Sequence, residues 1–389
     1  MATATTTTPI RVALIGLSSS AKTAWASRAH LPYLLSAPGR AKYQIVALLN
    51  SSVSAARAAI AAYDLPPTTR AYGDPADLAA DAEVDLVVCN TRVDKHYETV
   101  LASVQAGKDV FVEWPLAQDV EHARGLAEAA RVGGGRTVVG LQGGLAAPTL
   151  KVKALLEEGR IGRVLSSEVR VFGGLSGRES VPEGLAYFTE RAVGGNIYTI
   201  GFAHILSLIQ GSIGELASAK GDFHVQRPDV QVTDDNGKVL RTVRSDVPDL
   251  ISVTGKWDES ALTQQNATLH FRLRRGQPFP GEPVLEWTIH GEKGEIRIIS
   301  PKSAFLQVSD ETVPRIIEIH DFATDEVTKV EWDWEKWQNE LPHPARGIGA
   351  LYESFAEVKA TGAKEKYLTF DAAVKRHELL EDLLGEWKA

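Results

Sequence analysis

Between Ile10 and about Leu141 short β-rich runs alternate with alanine-rich stretches, and that alternation leaves few folds open. Arg11–Gly16, Gln44–Asn50, Asp85–Asn90, Asp109–Glu113 and Arg136–Leu141 carry the branched and apolar side chains that suit strands. Between them, the alanine content and spacing of Ala21–Leu35, Val53–Tyr63, His96–Gln105 and Val120–Val132 predict helices. Strand and helix at this pitch imply right-handed βαβ crossovers and a parallel sheet. Such sheets bind ligands beyond the carboxyl ends of their strands, so the residues just after each strand are the first candidates.

After Pro148 the texture changes. A helix predicted over Thr149–Glu158 stops at Gly159, and alternating strands follow at Val164–Val171, Ala267–Arg272, Val284–His290 and Glu295–Ile299. The apolar segment Ile197–Ile209 reads as a helix packed on that sheet, and helices near Ile348–Lys359 and Phe370–Trp387 close the chain. Arg227–Pro248, rich in Asp, Asn and Pro, reads as a long surface excursion. The fold class expected is an α/β Rossmann-type domain with a parallel sheet, plus a C-terminal α+β domain with a large open, mostly antiparallel sheet. The boundaries expected are a disordered tail at 1–9, a nucleotide-binding domain at 10–145, and an α+β domain at 146–389 whose last helices pack back on the first. Three tryptophans, Trp332, Trp334 and Trp337, fall within seven residues and read as core or subunit contact.

The 389 residues hold 42 basic and 50 acidic side chains, a net charge of −8, with no run of Lys and Arg. That balance argues against nucleic acid or an anionic membrane surface as a direct partner. A single cysteine, Cys89, excludes an intrachain disulfide and reads as a buried strand position. The first residues show neither the basic flank nor the apolar stretch of a secretory signal, and no segment nears the ~20 apolar residues of a membrane span. A cytoplasmic protein is expected, and the sequons at Asn50 and Asn266 read as chance matches.

The first strand runs into Gly16-Leu17-Ser18-Ser19-Ser20-Ala21-Lys22. Only the first glycine of a G-x-G-x-x-G pattern is present, so both a phosphate loop and a Ser-capped turn fit the local sequence. The second strand ends at Asn50-Ser51, without the acidic residue that grips a ribose 2′-hydroxyl or the arginine that tolerates a 2′-phosphate, although Arg57 could assist. NAD and NADP both remain open. Asn90-Thr91-Arg92, His96 and Glu113-Trp114 follow the next two strands. His30, His96 and His122 lack the short spacing of metal ligands, no G-x-S-x-G elbow occurs, and Cys89 has no evident basic activator, so neither a metal site nor a nucleophile is expected.

These segments together resemble the Gfo/Idh/MocA oxidoreductase family, and within it the fungal Gal80-like branch. The resemblance rests on Ile10–His30, Asn90–His96, Glu113-Trp114-Pro115-Leu116-Ala117, Leu141-Gln142-Gly143, Ile161-Gly162 and Ile289–Gly294. It implies NAD(P) bound by the first domain, a sugar or cyclic polyol as substrate, and a homodimer formed over the open sheet, whose uncovered face is expected to be apolar. It also implies that Gly16, Leu17, Ser18, Ser19, Ser20 and Lys22 surround the pyrophosphate, with Trp25 and His30 nearby. Asn50 and Ser51 would meet the ribose; Asn90, Thr91, Arg92, His96, Glu113, Trp114 and Gln142 would line the nicotinamide half.

The departures matter equally. Trp114 stands where the family has a lysine, and Thr199 or Ile200 where its helix has an aspartate, while His204 is kept. His204, with Tyr198 as a second catalytic hydroxyl, would then handle the substrate proton, and Tyr187, Trp114 and His204 would contact substrate. Three functions are compatible with this pattern. One is an NAD(P)-dependent oxidoreductase acting on a sugar, polyol or related small alcohol or carbonyl. The second is a Gal80-like regulator, placed in cytoplasm or nucleus, that holds dinucleotide and a partner protein's activation segment without turnover. The third is a lyase or glycosidase that recycles its cofactor.

Overall fold

The computed structural model describes residues 8–20, 23–173, 177–308, 313–385 and 387–389, so the expected N-terminal tail lies almost wholly outside the described residues. The chain divides into two units: residues to Gln142 together with Lys336–His377, and Gly143–Glu335 with the residues from Glu378 on.

The first unit holds a six-stranded parallel sheet: β1 (Ile10–Ile15), β2 (Tyr43–Leu49), β3 (Arg70–Tyr72), β4 (Leu86–Cys89), β5 (Asp109–Glu113) and β6 (Thr137–Gly140), in the order β3-β2-β1-β4-β5-β6. Five strands fall where alternation predicts them. The sixth, β3, is three residues long, with no residue fully buried, too short to stand out as an apolar run. The order doubles back between β1 and β4, opening a crevice at their carboxyl ends.

The start of the helix expected from Ala21 lies outside the described residues, among which helical structure begins at Ala26. Ala24 takes a left-handed φ of 47°, and Ala26–His30 forms a π-helical turn before the α-helix Leu31–Leu35. A buried polar chain ties this segment to the sheet. His30 Nε2 lies 2.8 Å from Glu113 Oε1 at the end of β5, and His30 Nδ1 lies 2.9 Å from the Tyr352 hydroxyl on the long helix His343–Thr361. Tyr352 is itself fully buried, stacked 5.2 Å from Tyr33 and edge-on to Tyr43, whose hydroxyl donates to Tyr352 O. Trp337 packs edge-on against Tyr33 and fills the space beside Gly349.

The second unit holds an eight-stranded sheet built from β7 (Val164–Phe172), β9 (Leu216–His224), β12 (Leu250–Trp257), β13 (Thr263–Arg274), β14 (Leu285–Gly291), β15 (Gly294–Ser300), β16 (Ile316–Asp321) and β17 (Glu326–Lys329). Its order is β17-β16-β15-β14-β7-β13-β12-β9, antiparallel except between β7 and β13. The helical segment Ile197–Ile213 packs on its inner face, where Phe202 meets Phe271 and Tyr198 meets Phe223. Trp332 donates its Nε1–H to Arg315 O and sits edge-on to a buried Trp334, so these two tryptophans pack within the unit.

The surface excursion Arg227–Pro248 contains β10 (Asp229–Thr233) and β11 (Val239–Arg244), a hairpin that adds to β8 (Ser180–Pro182) around a small core of Val181, Val230 and Val232. Asp234 Oδ1 accepts the N–H groups of Asn236 and Lys238, and Gly237 takes φ 79°, which is Asn-Gly turn chemistry that composition alone disguised as loop. The outer face of the large sheet is not the apolar face expected. Arg170 pairs there with Glu282 and Glu286, and Arg297 with Glu318, because alternate residues of these strands are charged. An exposed apolar face is therefore no ground for a dimer.

Gly140 marks how tightly β6 closes on Glu113. A Cβ at Gly140 would lie 2.5–2.6 Å from the Glu113 carboxyl group. Gly140→Ala should therefore cost about 1–3 kcal/mol of stability. A urea midpoint within error of the parent would mean that Glu113 can move without loss and that the buried chain is not fixed.

Candidate functional site

Gly16 leaves β1 with φ 87°, and its N–H donates to Leu49 O. Across the crevice Asn90 N–H donates to Ile15 O, and a Cβ on Gly16 would lie 3.1 and 3.2 Å from Asn90 C and O. Only glycine suits this crossing, because its left-handed backbone strains any other residue. The following loop is braced from outside: Asn50 Nδ2 donates to Leu17 O at 2.9 Å, and the Tyr63 hydroxyl to Ser18 O at 3.1 Å. Ser18 Oγ accepts Ser20 N–H, so the serines close their own turn, with Ser19 and Ser20 exposed. Among the described residues the first helical turn after β1 is Ala26–His30. Lys22 lies outside the described residues.

Several predicted cofactor contacts turn out to be scaffold. The Asn50 amide nitrogen is committed to Leu17, leaving the exposed Ser51 beside it. Arg92 is tied to Asp94 by contacts of 2.5 and 2.6 Å. His96 is buried, with Nδ1 2.9 Å from Pro115 O and Nε2 3.0 Å from Thr91 O. Burial pushes its pKa below the usual histidine value, and the ring joins the loops after β4 and β5. Glu113 is held by His30. Cys89, whose Sγ lies near the hydroxyls of Thr91 and Thr99, is a buried thiol with a pKa raised by burial.

Other strand-end residues carry polar atoms that the protein leaves unsatisfied. Both side-chain polar atoms of Asn90, the Oε1 of Gln142 and the Nε1 of Trp25 are buried without a hydrogen-bond partner. Each such group costs about 1–3 kcal/mol when left unmet. They belong to residues that follow β1, β4 and β6, and Trp114 follows β5, 5% exposed, its ring 4.7 Å from that of His377. The sequence reading missed His377. A signal existed, since His377 falls with Phe370, Ala373 and Leu380 on the apolar stripe of the helix Phe370–Leu384. Its Nε2 is buried and unpartnered, and burial lowers its pKa to about 4. Separately, Arg57, Thr69, Arg70 and Tyr72 line an open cavity of about 550 Å³ beside β3.

In the second unit His204 is 8% exposed, with Nδ1 unpartnered and its ring 6.0 Å from Phe305. Burial lowers its pKa to about 4, so it is neutral at ordinary pH. Tyr198 does not qualify as a catalytic hydroxyl. It is 2% exposed, stacked on Phe202, raised in pKa by burial, and donates its O–H to Leu380 O at 2.6 Å. Nor can Thr199 serve for the family's aspartate, because its hydroxyl accepts from Asn196 N–H in a capping box and donates to Gly194 O. Tyr187 is half-buried, edge-on to Phe188. Among the described residues no group of three or more His, Cys, Asp or Glu could hold a metal ion, and no helix is long and apolar enough to cross a membrane.

Comparison with known proteins agrees with this two-unit geometry. Residues 10–141 match the oxidoreductase family with an NAD-binding Rossmann fold, and residues 148–300 match the Gal80p C-terminal domain. The chain is 28% identical over 375 residues to dehydrogenase aclE of Aspergillus oryzae, covering 96% of this chain and 95% of that protein. It is 27% identical over 313 residues to the galactose/lactose metabolism regulatory protein GAL80 of Saccharomyces cerevisiae, covering 78% and 69%. A crystal structure of a super-repressor mutant of Gal80p from the same yeast superposes with a TM-score of 0.84 at 23% identity, over 97% of this chain and 95% of that one.

His204 and His377 set a pH dependence. Both have folded-state pKa values of about 4, below the unfolded value near 6.5, so on acidification the unfolded chain takes up protons first. Their stabilising contribution is present above about pH 6.5 and is lost as pH falls toward 4, by up to ~1.4 kcal/mol per pH unit for each histidine. Urea unfolding between pH 7 and pH 5 should show this slope, to which the buried His96 also contributes, and His377→Asn should lower it without abolishing it. An unchanged slope in the variant would mean that His377 titrates normally.

Proposed function

We propose, from a first domain that matches the oxidoreductase family with an NAD-binding Rossmann fold and a second that matches the Gal80p C-terminal domain, that the chain is an NAD(P)-dependent oxidoreductase of the Gfo/Idh/MocA type acting on a sugar, polyol or related small alcohol or carbonyl. The observation that carries this reading is His204, a buried and neutral imidazole with an unpartnered Nδ1, kept at the family's proton-handling position while its other two groups are replaced.

A bound nicotinamide would supply the hydride chemistry. Gly16 gives the dinucleotide backbone room, while Asn90, Gln142 and Trp25 offer it unmet donors and acceptors. No carboxylate stands at the end of β2 to reject a 2′-phosphate, so NADP is accommodated as well as NAD, with Arg57 the nearby cation. His204 takes the hydroxyl proton during oxidation and returns it during reduction. Its lowered pKa keeps it in the accepting form from about pH 5 upward. Trp114 exchanges no proton, and its ring offers a flat apolar wall to a sugar or nicotinamide.

One observation favours a second reading. Trp114, in place of the lysine, is packed against His377, so the lysine's position is filled by a ring that exchanges no proton. A regulator that holds dinucleotide and a partner protein segment without turnover would need nothing more there. The enzyme reading places the protein in the cytoplasm; the regulator reading adds the nucleus. A homodimer is proposed under both.

Titration with NAD(H) and NADP(H), followed by a screen of sugars and polyols for change in nicotinamide absorbance, separates them. The enzyme reading expects turnover, and His204→Ala should abolish it while leaving cofactor affinity within a few-fold. Equal turnover in the variant would reassign His204 to packing, and tight binding with no turnover on any substrate would favour the regulator.

A further inference from the structure

The second unit carries a cluster of arginines that the proposed chemistry does not use. β13 closes with Arg272 and Arg274, Arg275 follows, and Arg178 and Arg227 stand close enough to Arg274 or Arg275 to repel them. The Arg274 guanidinium lies 4.6 Å over the Phe172 ring and, among the described residues, donates to the carbonyls of Arg275 and Gln277. Among the described residues, none of Arg178, Arg272 and Arg274 forms an ion pair with a carboxylate.

Arg275 is the unusual member. Its side chain is 8% exposed and its Nε–H is buried without an acceptor. One terminal nitrogen donates to Arg178 O at 2.9 Å. Its nearest carboxylate, Asp249, is 4.0 Å away and already accepts the N–H groups of Gln226 and Arg227 at 2.6 and 2.9 Å. Burial, and then the facing guanidiniums of Arg178, Arg272 and Arg227, push Arg274 below the ordinary arginine range.

Crowding like charges with their donors unmet is unfavourable unless a counter-charge arrives. The chain as a whole is acidic, so this is no general basic surface. Three guanidiniums without carboxylate partners, and a fourth only weakly countered, call for at least a dianion. Planar guanidinium forks match phosphate oxygens in pairs. Glu179, which pairs with Arg227, and Glu282 and Glu286, which pair with Arg170, lie around the cluster and would repel an extended polyanion. We propose that this cluster binds a compact, multiply charged phosphate, with Arg274 and Arg275 as anchors and the exposed Arg178 and Arg272 closing on it from the surface.

Calorimetric titration of the full chain with inorganic phosphate, inorganic pyrophosphate and citrate tests this. Pyrophosphate should bind at one site per chain, more tightly than phosphate, and more weakly as salt rises. Arg178→Gln with Arg272→Gln, both surface positions that leave packing intact, should weaken pyrophosphate at least tenfold. Arg274→Lys, which keeps the charge but loses the fork, should weaken it several-fold. No binding by the parent chain, or unchanged binding in the double variant, overturns the site. Citrate binding as tightly as pyrophosphate overturns the assignment to phosphate.

Discussion

The buried contact between Glu113 and His30 is the constraint on which the first unit rests. A carboxyl group at the end of a central strand, walled in by Gly140, must find a partner inside the protein, because burying it alone would be prohibitive. His30 reaches it only because the chain after β1 makes a π-helical turn, and His30 keeps its other nitrogen satisfied only because Tyr352 arrives from the helix His343–Thr361. One polar chain thus joins three segments far apart in sequence. Trp114, the next residue after Glu113, is set by the same anchor.

The polar groups of the crevice divide into two kinds. Asn50, His96 and Tyr63 spend their hydrogen bonds on loop backbone and hold the strand ends in place. Asn90, Gln142 and Trp25 keep buried atoms unmet, the pattern of a surface completed by something other than the chain itself. In the second unit His204 belongs to the unmet kind, whereas Tyr198 and Thr199, three and four residues into the same segment as its cap Asn196, are consumed by backbone contacts.

Much of the fold was legible because it rests on period and punctuation. The parallel strands announced themselves as apolar runs, and β7, β13, β14 and β15 by alternation. β3 was too short to show, the hairpin β10–β11 was hidden by polar composition, and the left-handed backbone of Ala24 left no mark in the sequence. The polar outer face of the large sheet was readable in the alternation of Glu286, Arg297 and Glu318, but a family expectation obscured it.

The sequence by itself determined the two-part α/β and α+β plan, the buried state of Cys89, and the replacement of the lysine by Trp114. The first two follow from local pattern, which needs no knowledge of partners, and the third from the resemblance to the family. Only the tertiary structure decided which polar residues are spent and which are unmet. It alone assigned Asn50 and His96 to the scaffold, removed Tyr198 from the chemistry, and brought His377 against Trp114 and Arg275 among its fellow arginines. The physical reason is that hydrogen bonding and desolvation depend on neighbours distant in sequence, and a residue's identity states what it can donate or accept, not what it meets.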